Sequence, residues 1–380
     1  MIYLDNAGST IVDEEVLKLF IEDNTNNFAN PSSLNGFGMK ENYDIVNYKR
    51  DILNILKLNP STYDVIFTSG ATESNNLAIL GYARKNKNKG KHLITSKIEH
   101  PSVLNVFKEL EKEGFDVTYL DIKEDGTIDL DYFKSILRDE TIFVSLMYVN
   151  NECGCVLNLE EIKDIINKSN NKKIVFHSDL AQTLGKEKVN CSLFDMLTIS
   201  SYKIHGIKGI GALIKKRNIE LEPLVYGGGQ EFNLRSGTLS YPLIHSFDFI
   251  VKKYTKDFEK NYAYVQSLYN FTFDELNKIN GIKVHDKFKR HCPFIINFST
   301  TSKESSIVVE ALSNKEIYVS TKSSCSSKLK VISHVIYELT KNENEATNSI
   351  RISFSKYNTI DEISVFINSL KEILNNIKGR

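Results

Sequence analysis

The amino-acid sequence predicts an α/β fold: a large domain with a mostly parallel sheet flanked by helices, and a smaller α+β domain. Short apolar runs alternate with segments of helical spacing over much of the chain. This alternation changes after about Tyr241. With 380 residues, 41% of them hydrophobic, the chain is also too long for one small core. These three observations favour a large globular enzyme.

Apolar runs in the first part of the chain have the length and composition of buried strands. They are Val65–Thr68, His92–Ser96, Val117–Leu120, Thr141–Met147, Ile174–His177 and Met196–Ser200. The intervening segments with helical spacing include Glu73–Arg84, Pro101–Glu113 and Leu159–Asn167. This alternation predicts parallel strands whose connecting helices cover both faces of the sheet.

The pattern after Tyr241 predicts a second, smaller unit. A long helical stretch runs to about Asn280, and a C-terminal helix begins at Thr359. The short segments between them are Ile282–Val284, Phe294–Phe298, Ser305–Ser313 and Ile317–Ser320. We therefore place a large domain at residues 15–255 and a small domain at residues 1–14 and 256–380.

Composition favours a cytoplasmic location. Forty-eight basic residues balance forty-eight acidic ones, so we expect no direct binding to nucleic acid or to a membrane surface. The start, MIYLDNAGST, lacks the regions of a secretory signal, and no apolar run reaches membrane-spanning length. Five scattered cysteines, an odd number in a long chain, predict reduced thiols.

A small, polar turn follows the first predicted strand. The segment SGATESNN, residues 69–76, opens a helix and offers backbone N–H groups, hydroxyls and a positive helix end to a phosphate. Gly70, Ala71 and Thr72 are its candidate ligands. Ser and Thr also cap ordinary helices, so a plain helix cap is the alternative.

Two further polar segments follow predicted strands. The segment HSDLAQ places Asp179 just past the end of a predicted strand. A carboxylate there is suited to pair with a protonated ring nitrogen of a bound molecule, and a plain helix cap is the alternative. SSYKIHGIKGIG places Lys203 in a Gly-rich turn between two strands, although a lone lysine there is more often a surface residue. In open parallel sheets, ligands bind outside the carboxyl ends of the strands, which is where these segments fall.

Together these segments resemble the cysteine desulfurases, which are fold type I pyridoxal phosphate enzymes related to class V aminotransferases. The motifs, in the family's order, are TSGATESNN, TSKIEHPSV, YVNNECG, HSDLAQ, SYKIHGIKGIGAL, GGGQEFNLRSGT, SSCSS and SIRISFS. The resemblance runs from Tyr3 nearly to the C-terminus. It implies an enzyme that converts L-cysteine to L-alanine and delivers the sulfur to an acceptor protein, for iron–sulfur cluster assembly or tRNA thiolation.

The resemblance also implies roles for residues at the reacting centre. Lys203 binds the cofactor aldehyde and moves the substrate α-proton, and Asp179 keeps the pyridine nitrogen of the cofactor protonated. His100 stacks on the cofactor ring and assists proton transfer. Arg351 binds the substrate carboxylate through its planar fork, with a buried structural arginine as the alternative.

Other matching residues contact the rest of the cofactor. Asn151 and Gln182 match residues at the substrate-side face and at the ring hydroxyl, and Asn151 is also expected to contact substrate. The expected phosphate contacts are Gly70, Ala71, Thr72 and Ser200. Thr238 matches a threonine that reaches the phosphate of the neighbouring subunit, which implies a homodimer with shared sites.

Cys325 is the expected sulfur acceptor. It lies in a polar segment with no apolar pattern to bury it, next to Lys322, which favours the reactive thiolate. The resemblance implies that this thiolate attacks the sulfur of the substrate cysteine and becomes a persulfide. The spacing to the following Ile332–Val335 run resembles the family members that have a long, moving cysteine loop.

Several positions depart from the family pattern. Tyr202 stands where a histidine usually precedes the lysine and binds the cofactor phosphate, a contact that the tyrosine hydroxyl could replace. Asn35 also stands where a histidine is usual. Near the cysteine, Lys322 and Ser324 replace Gly and Ala, and near the start the pair Gly8-Ser9 replaces Ala-Thr. These changes bear on cofactor affinity and loop flexibility.

Cys153 and Cys155 form a C-x-C beside Asn151. Cys191 and Cys292 offer no second pair, so we predict structural thiols and no metal site. A specialised role in sulfur handling is the alternative.

Two other functions fit parts of the pattern. A related lyase acting on selenocysteine or another β-substituted amino acid would need the cofactor residues but not Cys325. A cofactor-impaired scaffold in a sulfur-transfer complex would account for Tyr202 and Asn35.

Overall fold

The computed structural model of the chain describes residues 1–301, 303–321 and 332–376. Cys325, with Lys322 and Ser324, lies outside the described residues. The strands are β1 (Ile2–Tyr3), β2 (Tyr63–Thr68), β3 (His92–Ser96), β4 (Asp116–Leu120), β5 (Thr141–Ser145), β6 (Val175–Asp179), β7 (Met196–Ser200), β8 (Gly211–Lys216), β9 (Ile282–Val284), β10 (Ile295–Thr300), β11 (Ile317–Tyr318) and β12 (Ser349–Ser353).

The helices alternate with these strands in the first part of the chain. They are α1 (Glu14–Asn26), α2 (Gly36–Ile55), α3 (Ala71–Asn86), α4 (Pro101–Lys112), α5 (Leu130–Ser135), α6 (Leu159–Lys168), α7 (Tyr241–Lys256), α8 (Phe258–Asn277), α9 (Ser305–Ser313), α10 (His334–Thr340), α11 (Glu343–Thr347) and α12 (Ile360–Asn376). Among them, no helix is both long and apolar enough to cross a membrane.

A seven-stranded sheet in the order β2-β8-β7-β6-β5-β3-β4 forms the centre of the molecule. Strands β3 to β7 pair in parallel, whereas β8 is antiparallel to both of its neighbours. Every residue of β3, β5 and β7 is buried, as expected for strands covered on both faces. The predicted α/β fold is confirmed, and the six predicted strands lie within two residues of the observed bounds.

The predicted long helix after Tyr241 is two helices rather than one. The chain leaves the helical conformation at Asp257, where φ is −98° and ψ is 19°, and α8 begins at the next residue. Asp257 accepts a bond from the backbone N–H of Asn261, so it ends one helix and starts the other. Residue spacing alone hides a break of one residue.

The later strands form two smaller sheets. Strands β12-β10-β9 make an antiparallel sheet, and β1 pairs in parallel with β11, which brings the start of the chain to this unit. The predicted boundaries, with a large domain at 15–255 and a small domain at 1–14 and 256–380, stay a prediction. The separation of the sheets along the chain supports them.

Candidate active site

A cleft of about 240 Å³ opens at the carboxyl ends of the central strands. The predicted residues that line it are Gly70, Ala71, Thr72, His100, Asn151, Asp179, Gln182, Tyr202, Lys203 and Arg351. They come from segments that are far apart in sequence, and Arg351 comes from a different sheet. The cleft therefore brings together most of the side chains that the sequence singles out.

Lys203 lies in a short 3-10 turn directly after β7. Its Nζ donates to the carbonyl oxygens of Ala7, over 2.6 Å, and Gly8, over 2.8 Å. Burial, together with the positive charges of Arg351 and Lys186, lowers the pKa of Lys203 to about 7. A neutral amine has two hydrogens for these two carbonyls and keeps a free electron pair, so Lys203 is prepared to act as a nucleophile or base.

Asp179 ends β6 and is held by two donors. Its Oδ2 accepts from Asn75 Nδ2 over 2.7 Å, and its Oδ1 accepts from the backbone N–H of Ala181 over 2.9 Å. The same Asn75 nitrogen donates to Ser102 Oγ over 2.9 Å. Asn75 therefore fixes the carboxylate in the cleft and ties it to the start of α4.

His100 is placed by the start of α4. Pro101 begins the helix, and His100 Nδ1 accepts from the backbone N–H of Ser102 over 3.1 Å as the N-terminal cap. The neutral ring therefore carries its proton on Nε2. Burial lowers the pKa of His100, so this neutral form is the favoured one. The side chain is both a helix cap and part of the cleft wall.

The turn after β2 has the features of an anion site. Gly70 has φ 152° at the start of α3, and a Cβ atom there would meet nothing within 4 Å. The first backbone N–H groups of α3 have no acceptor within the helix, and Ala71 and Thr72 line the cleft. Glu73 stabilises the turn, because its carboxylate accepts from the Ser69 N–H over 2.7 Å and from Arg235 Nε over 3.0 Å.

Gln182 connects the cleft to a buried lysine. Its Nε2 donates to the Ala7 carbonyl over 2.9 Å, and its Oε1 accepts from Lys186 Nζ over 3.0 Å. These contacts fix which end of the amide faces which neighbour. Burial lowers the pKa of Lys186 to about 8.

Arg351 reaches the cleft from β12 and is 2% exposed. Its Nη1 donates to the Asn151 carbonyl over 2.8 Å, and its Nη2 donates to Asp5 Oδ1 over 2.5 Å. The Nε atom is buried without a hydrogen-bond partner among the described residues, and so is Asn151 Oδ1. Two buried polar groups at this end of the cleft therefore have no hydrogen-bond partner in the described parts of the chain.

Three residues from the sequence analysis lie outside the cleft lining. Ser200 ends β7 as a buried residue whose hydroxyl has no partner in the described parts of the chain. Thr238 is exposed on a loop. Asn35 is exposed and caps α2, with Oδ1 accepting from the Gly38 N–H over 2.9 Å, so it serves the fold at that position.

The C-x-C cysteines are fully buried. Burial raises the pKa of the Cys153 thiol well above its ordinary value, and its Sγ donates to Asn150 Oδ1 over 3.3 Å. Among the described residues, no group of His, Cys, Asp and Glu side chains is arranged to hold a metal ion. These contacts support the structural role that was predicted for the pair.

Several residues of the site were not identified from the sequence. Asn75 lies inside a motif that was identified, but nothing in its spacing separates it from Asn76. Lys186 lies one helical turn's spacing after Gln182, which is a usable signal. The carbonyls of Ala7 and Gly8 and the carboxylate of Asp5 enter the site only because β1 joins a distant strand.

The family model of class V aminotransferases matches residues 2–366 of the chain. Cysteine desulfurase IscS 1 of Archaeoglobus fulgidus is 34% identical over 381 residues, which cover 100% of this chain and 98% of that protein. Cysteine desulfurase IscS of Neisseria meningitidis serogroup C is 36% identical over 382 residues, covering 99% and 93%.

Solved structures are also similar over nearly the whole chain. A NifS-like protein superimposes with a TM-score of 0.91 at 30% identity, covering 98% of this chain and 99% of that one. A structure of SspA in complex with cysteine superimposes with a TM-score of 0.81 at 34% identity, covering 94% and 100%. The similarity extends over both the central sheet and the smaller sheets.

Proposed function

Because the chain belongs to the class V aminotransferase family and is a cysteine desulfurase, we propose that it passes sulfur from L-cysteine through Cys325 to an acceptor protein. The observation that carries this proposal is the cleft itself. It brings Lys203, Asp179, His100 and Arg351 together at the ends of the strands. Iron–sulfur cluster assembly and tRNA thiolation are the proposed destinations of the sulfur.

The cleft suits pyridoxal phosphate, the cofactor of this family. The open helix start at Gly70 suits its phosphate, and the carboxylate of Asp179 suits its ring nitrogen. Asn151 Oδ1 and Ser200 Oγ are two further buried polar atoms that have no hydrogen-bond partner among the described residues. Bound there, the cofactor would supply an electron sink for the substrate carbon that loses its proton.

Each residue of the cleft would then have its own role toward the cofactor or the substrate. Lys203 holds the cofactor and moves protons at the substrate carbon, since its lowered pKa leaves a large fraction of the amine neutral near pH 7. Gln182 and Asn151 hold the ring edge, and Thr72 with Ser200 and the backbone of residues 70–72 holds the phosphate. His100 covers the ring, with the Nε2 proton as its remaining donor.

Arg351 is the proposed partner of the substrate carboxylate. A carboxylate at Nε would satisfy the one donor atom of Arg351 that lacks an acceptor among the described residues. The loss of a hydrogen bond there would discriminate against amines that have no carboxylate.

Cys325 is the proposed sulfur acceptor. As the Cβ–S bond of cysteine breaks, its sulfur forms an S–S bond to Cys325, and the Cβ carbon keeps the electron pair and takes a proton to give alanine. Cysteine and one thiol thus become alanine and one persulfide. The acceptor protein then takes the outer sulfur by attack of its own thiol.

A second copy of the chain is the proposed partner in a homodimer. On α2, Met39, Tyr43 and Val46 share one exposed, apolar face. Val46 and the exposed Phe232 line one groove, and Phe232 lies in the segment that carries Thr238. Soluble chains rarely expose such a patch unless it binds a partner. Thr238 is exposed and does not line the cleft of its own chain, which supports a contact with the cleft of the partner subunit.

The described cysteines are all free thiols, which supports the proposed cytoplasmic location. The described chain offers no observation that favours the selenocysteine lyase or the scaffold over the desulfurase.

Mass spectrometry of the loaded enzyme after incubation with L-cysteine and no reductant tests the proposal. We expect one added sulfur atom on Cys325 and release of alanine. Cys325→Ser should abolish sulfur transfer, while Cys191→Ser, which removes a buried thiol outside the cleft, should not. Sulfide release that survives Cys325→Ser would instead favour a lyase. A protein that stays colourless with pyridoxal phosphate would favour the scaffold.

A further inference from the structure

Arg351 already has an anionic partner, the carboxylate of Asp5. Asp5 Oδ1 lies 2.5 Å from Arg351 Nη2, and this pair joins the start of the chain to β12. The arginine side chain is 2% exposed and that of the aspartate is 20% exposed. A buried guanidinium without a counter-charge is strongly unfavourable, so Asp5 compensates the charge while the cleft holds no substrate.

The pairing uses only part of the guanidinium. A carboxylate that binds side-on uses Nε and Nη2 together, through two parallel N–H···O bonds. Asp5 takes Nη2, Nη1 is directed to the Asn151 carbonyl, and Nε has no partner among the described residues. Nη2 carries two N–H groups, so a substrate carboxylate on the Nε–Nη2 edge would share this nitrogen with Asp5, and the two negative charges would repel each other.

Gly8 makes this position of Asp5 possible. A Cβ atom at Gly8 would lie 2.6 Å from Asp5 Oδ2 and 2.9 Å from Asp5 Oδ1, closer than atoms approach without a clash. The family pattern commonly has alanine at this position. An alanine here would force the aspartate side chain to rotate away from where it lies.

We propose that the Asp5 carboxylate is a built-in competitor of the substrate carboxylate for Arg351, and that Gly8 provides the space for it. This inference rests on the proposed role of Arg351. Amino acids then bind more weakly than they would to a free arginine, because the Asp5 carboxylate repels theirs at the same guanidinium. Amines without a carboxylate leave the Asp5–Arg351 pair in place.

The experiment compares L-alanine with ethylamine, which differs from it only by lacking the carboxylate. Dissociation constants are measured on the loaded enzyme from the visible spectrum of the bound cofactor. The variants are Asp5→Asn, which removes the charge at constant shape, and Gly8→Ala, which displaces the carboxylate. Gly36→Ala is the matched control, because a Cβ there meets nothing within 4 Å.

We expect Asp5→Asn and Gly8→Ala to tighten L-alanine binding about tenfold, to leave ethylamine within about twofold, and Gly36→Ala to change neither. Unchanged or weaker L-alanine binding in both variants overturns the competition. Arg351→Lys distinguishes the proposed carboxylate role of Arg351 from the proposed competition by Asp5. If it removes the preference for L-alanine while Asp5→Asn has no effect, the carboxylate role of Arg351 stands and the competition is wrong. If it leaves the preference unchanged, both are wrong.

Discussion

Lys186 Nζ donates to Gln182 Oε1 over 3.0 Å, and both side chains are buried. Gln182 Nε2 donates to the Ala7 carbonyl, and Lys203 Nζ donates to the same carbonyl. No carboxylate forms an ion pair with Lys186 in the described parts of the chain. Because no carboxylate offsets it there, the positive charge of Lys186 lowers the pKa of Lys203, the lysine that we propose binds the cofactor.

The rate at which the cofactor-free protein binds pyridoxal phosphate should therefore rise with pH through a midpoint near pH 7 and level off above about pH 8. The reason is that Lys203 must be neutral to react, and its pKa is lowered to about 7 by burial and by nearby positive charge. Stopped-flow absorbance across pH 5 to 9 gives the profile. A rate that still increases steeply between pH 8 and 9 would show an ordinary lysine pKa.

Lys186→Gln should move the midpoint of that profile upward by roughly half a pH unit. The substitution removes one of the positive charges that lower the pKa of Lys203, and it keeps a polar group beside Gln182. Lys188→Gln, at an exposed position two residues away, is the matched control and should not move the midpoint. An equal shift in both variants would mean that the effect is not local.

The sequence predicted the central fold well and part of the site. Buried parallel strands are apolar over their whole length, so their bounds can be read from composition. The polar segments after them identified Lys203 and Asp179 only through the family resemblance of the combined motifs. Local patterns carry no information on which distant segment supplies a contact. Asp5 and the carbonyls of Ala7 and Gly8 were missed for that reason, since their place depends on β1 pairing with β11.

Asn35, by contrast, is a residue that the sequence singled out but that serves the fold in its own chain. Its position in the family pattern suggested a weakened cofactor site, yet its side chain caps a helix and does not line the cleft of its own chain. Asparagine is among the preferred residues for such a cap, so the substitution preserves the local structure.

Asn75→Asp should destabilise the folded protein by about 3 kcal/mol at pH 8. It replaces the donor to Asp179 Oδ2 with a second buried carboxylate, which repels the first. The folded state then favours a shared proton, so the pKa of the new carboxyl is higher in the folded than in the unfolded chain. The loss of stability should therefore be smaller at pH 5 than at pH 8.

Urea unfolding at the two pH values measures this difference. Asn76→Asp makes the same chemical change on a neighbouring residue that is partly exposed, and should cost less than about 1 kcal/mol at either pH. A similar cost for both variants would show that Asn75 does not hold Asp179.

Tyr202→Phe should weaken pyridoxal phosphate binding by about tenfold, because it removes the hydroxyl that we propose replaces the usual histidine at the phosphate. The Lys203 Nζ atom lies 4.6 Å from the centre of the Tyr202 ring, and phenylalanine keeps this contact. Tyr202→His should bind the cofactor within about twofold of the unaltered chain, since it restores a donor. Equilibrium dialysis gives the affinities. Equal affinity in the phenylalanine variant would remove Tyr202 from the phosphate site.

Co-expression of Lys203→Ala and Thr238→Val chains, assayed at limiting pyridoxal phosphate, should give more desulfurase activity than either variant alone if Thr238 acts on the partner subunit. A dimer of one Lys203→Ala chain and one Thr238→Val chain has one site with an intact Lys203 and a Thr238 from the other chain. Random assembly then leaves about a quarter of all sites intact. If Thr238 acts on its own cleft, or if the dimer does not form, the mixture shows only the average activity of the two variants. Met39→Glu, on the exposed apolar face of α2, should prevent this gain in activity by separating the subunits. The matched control is Tyr337→Glu, an exposed apolar position on α10, which should not.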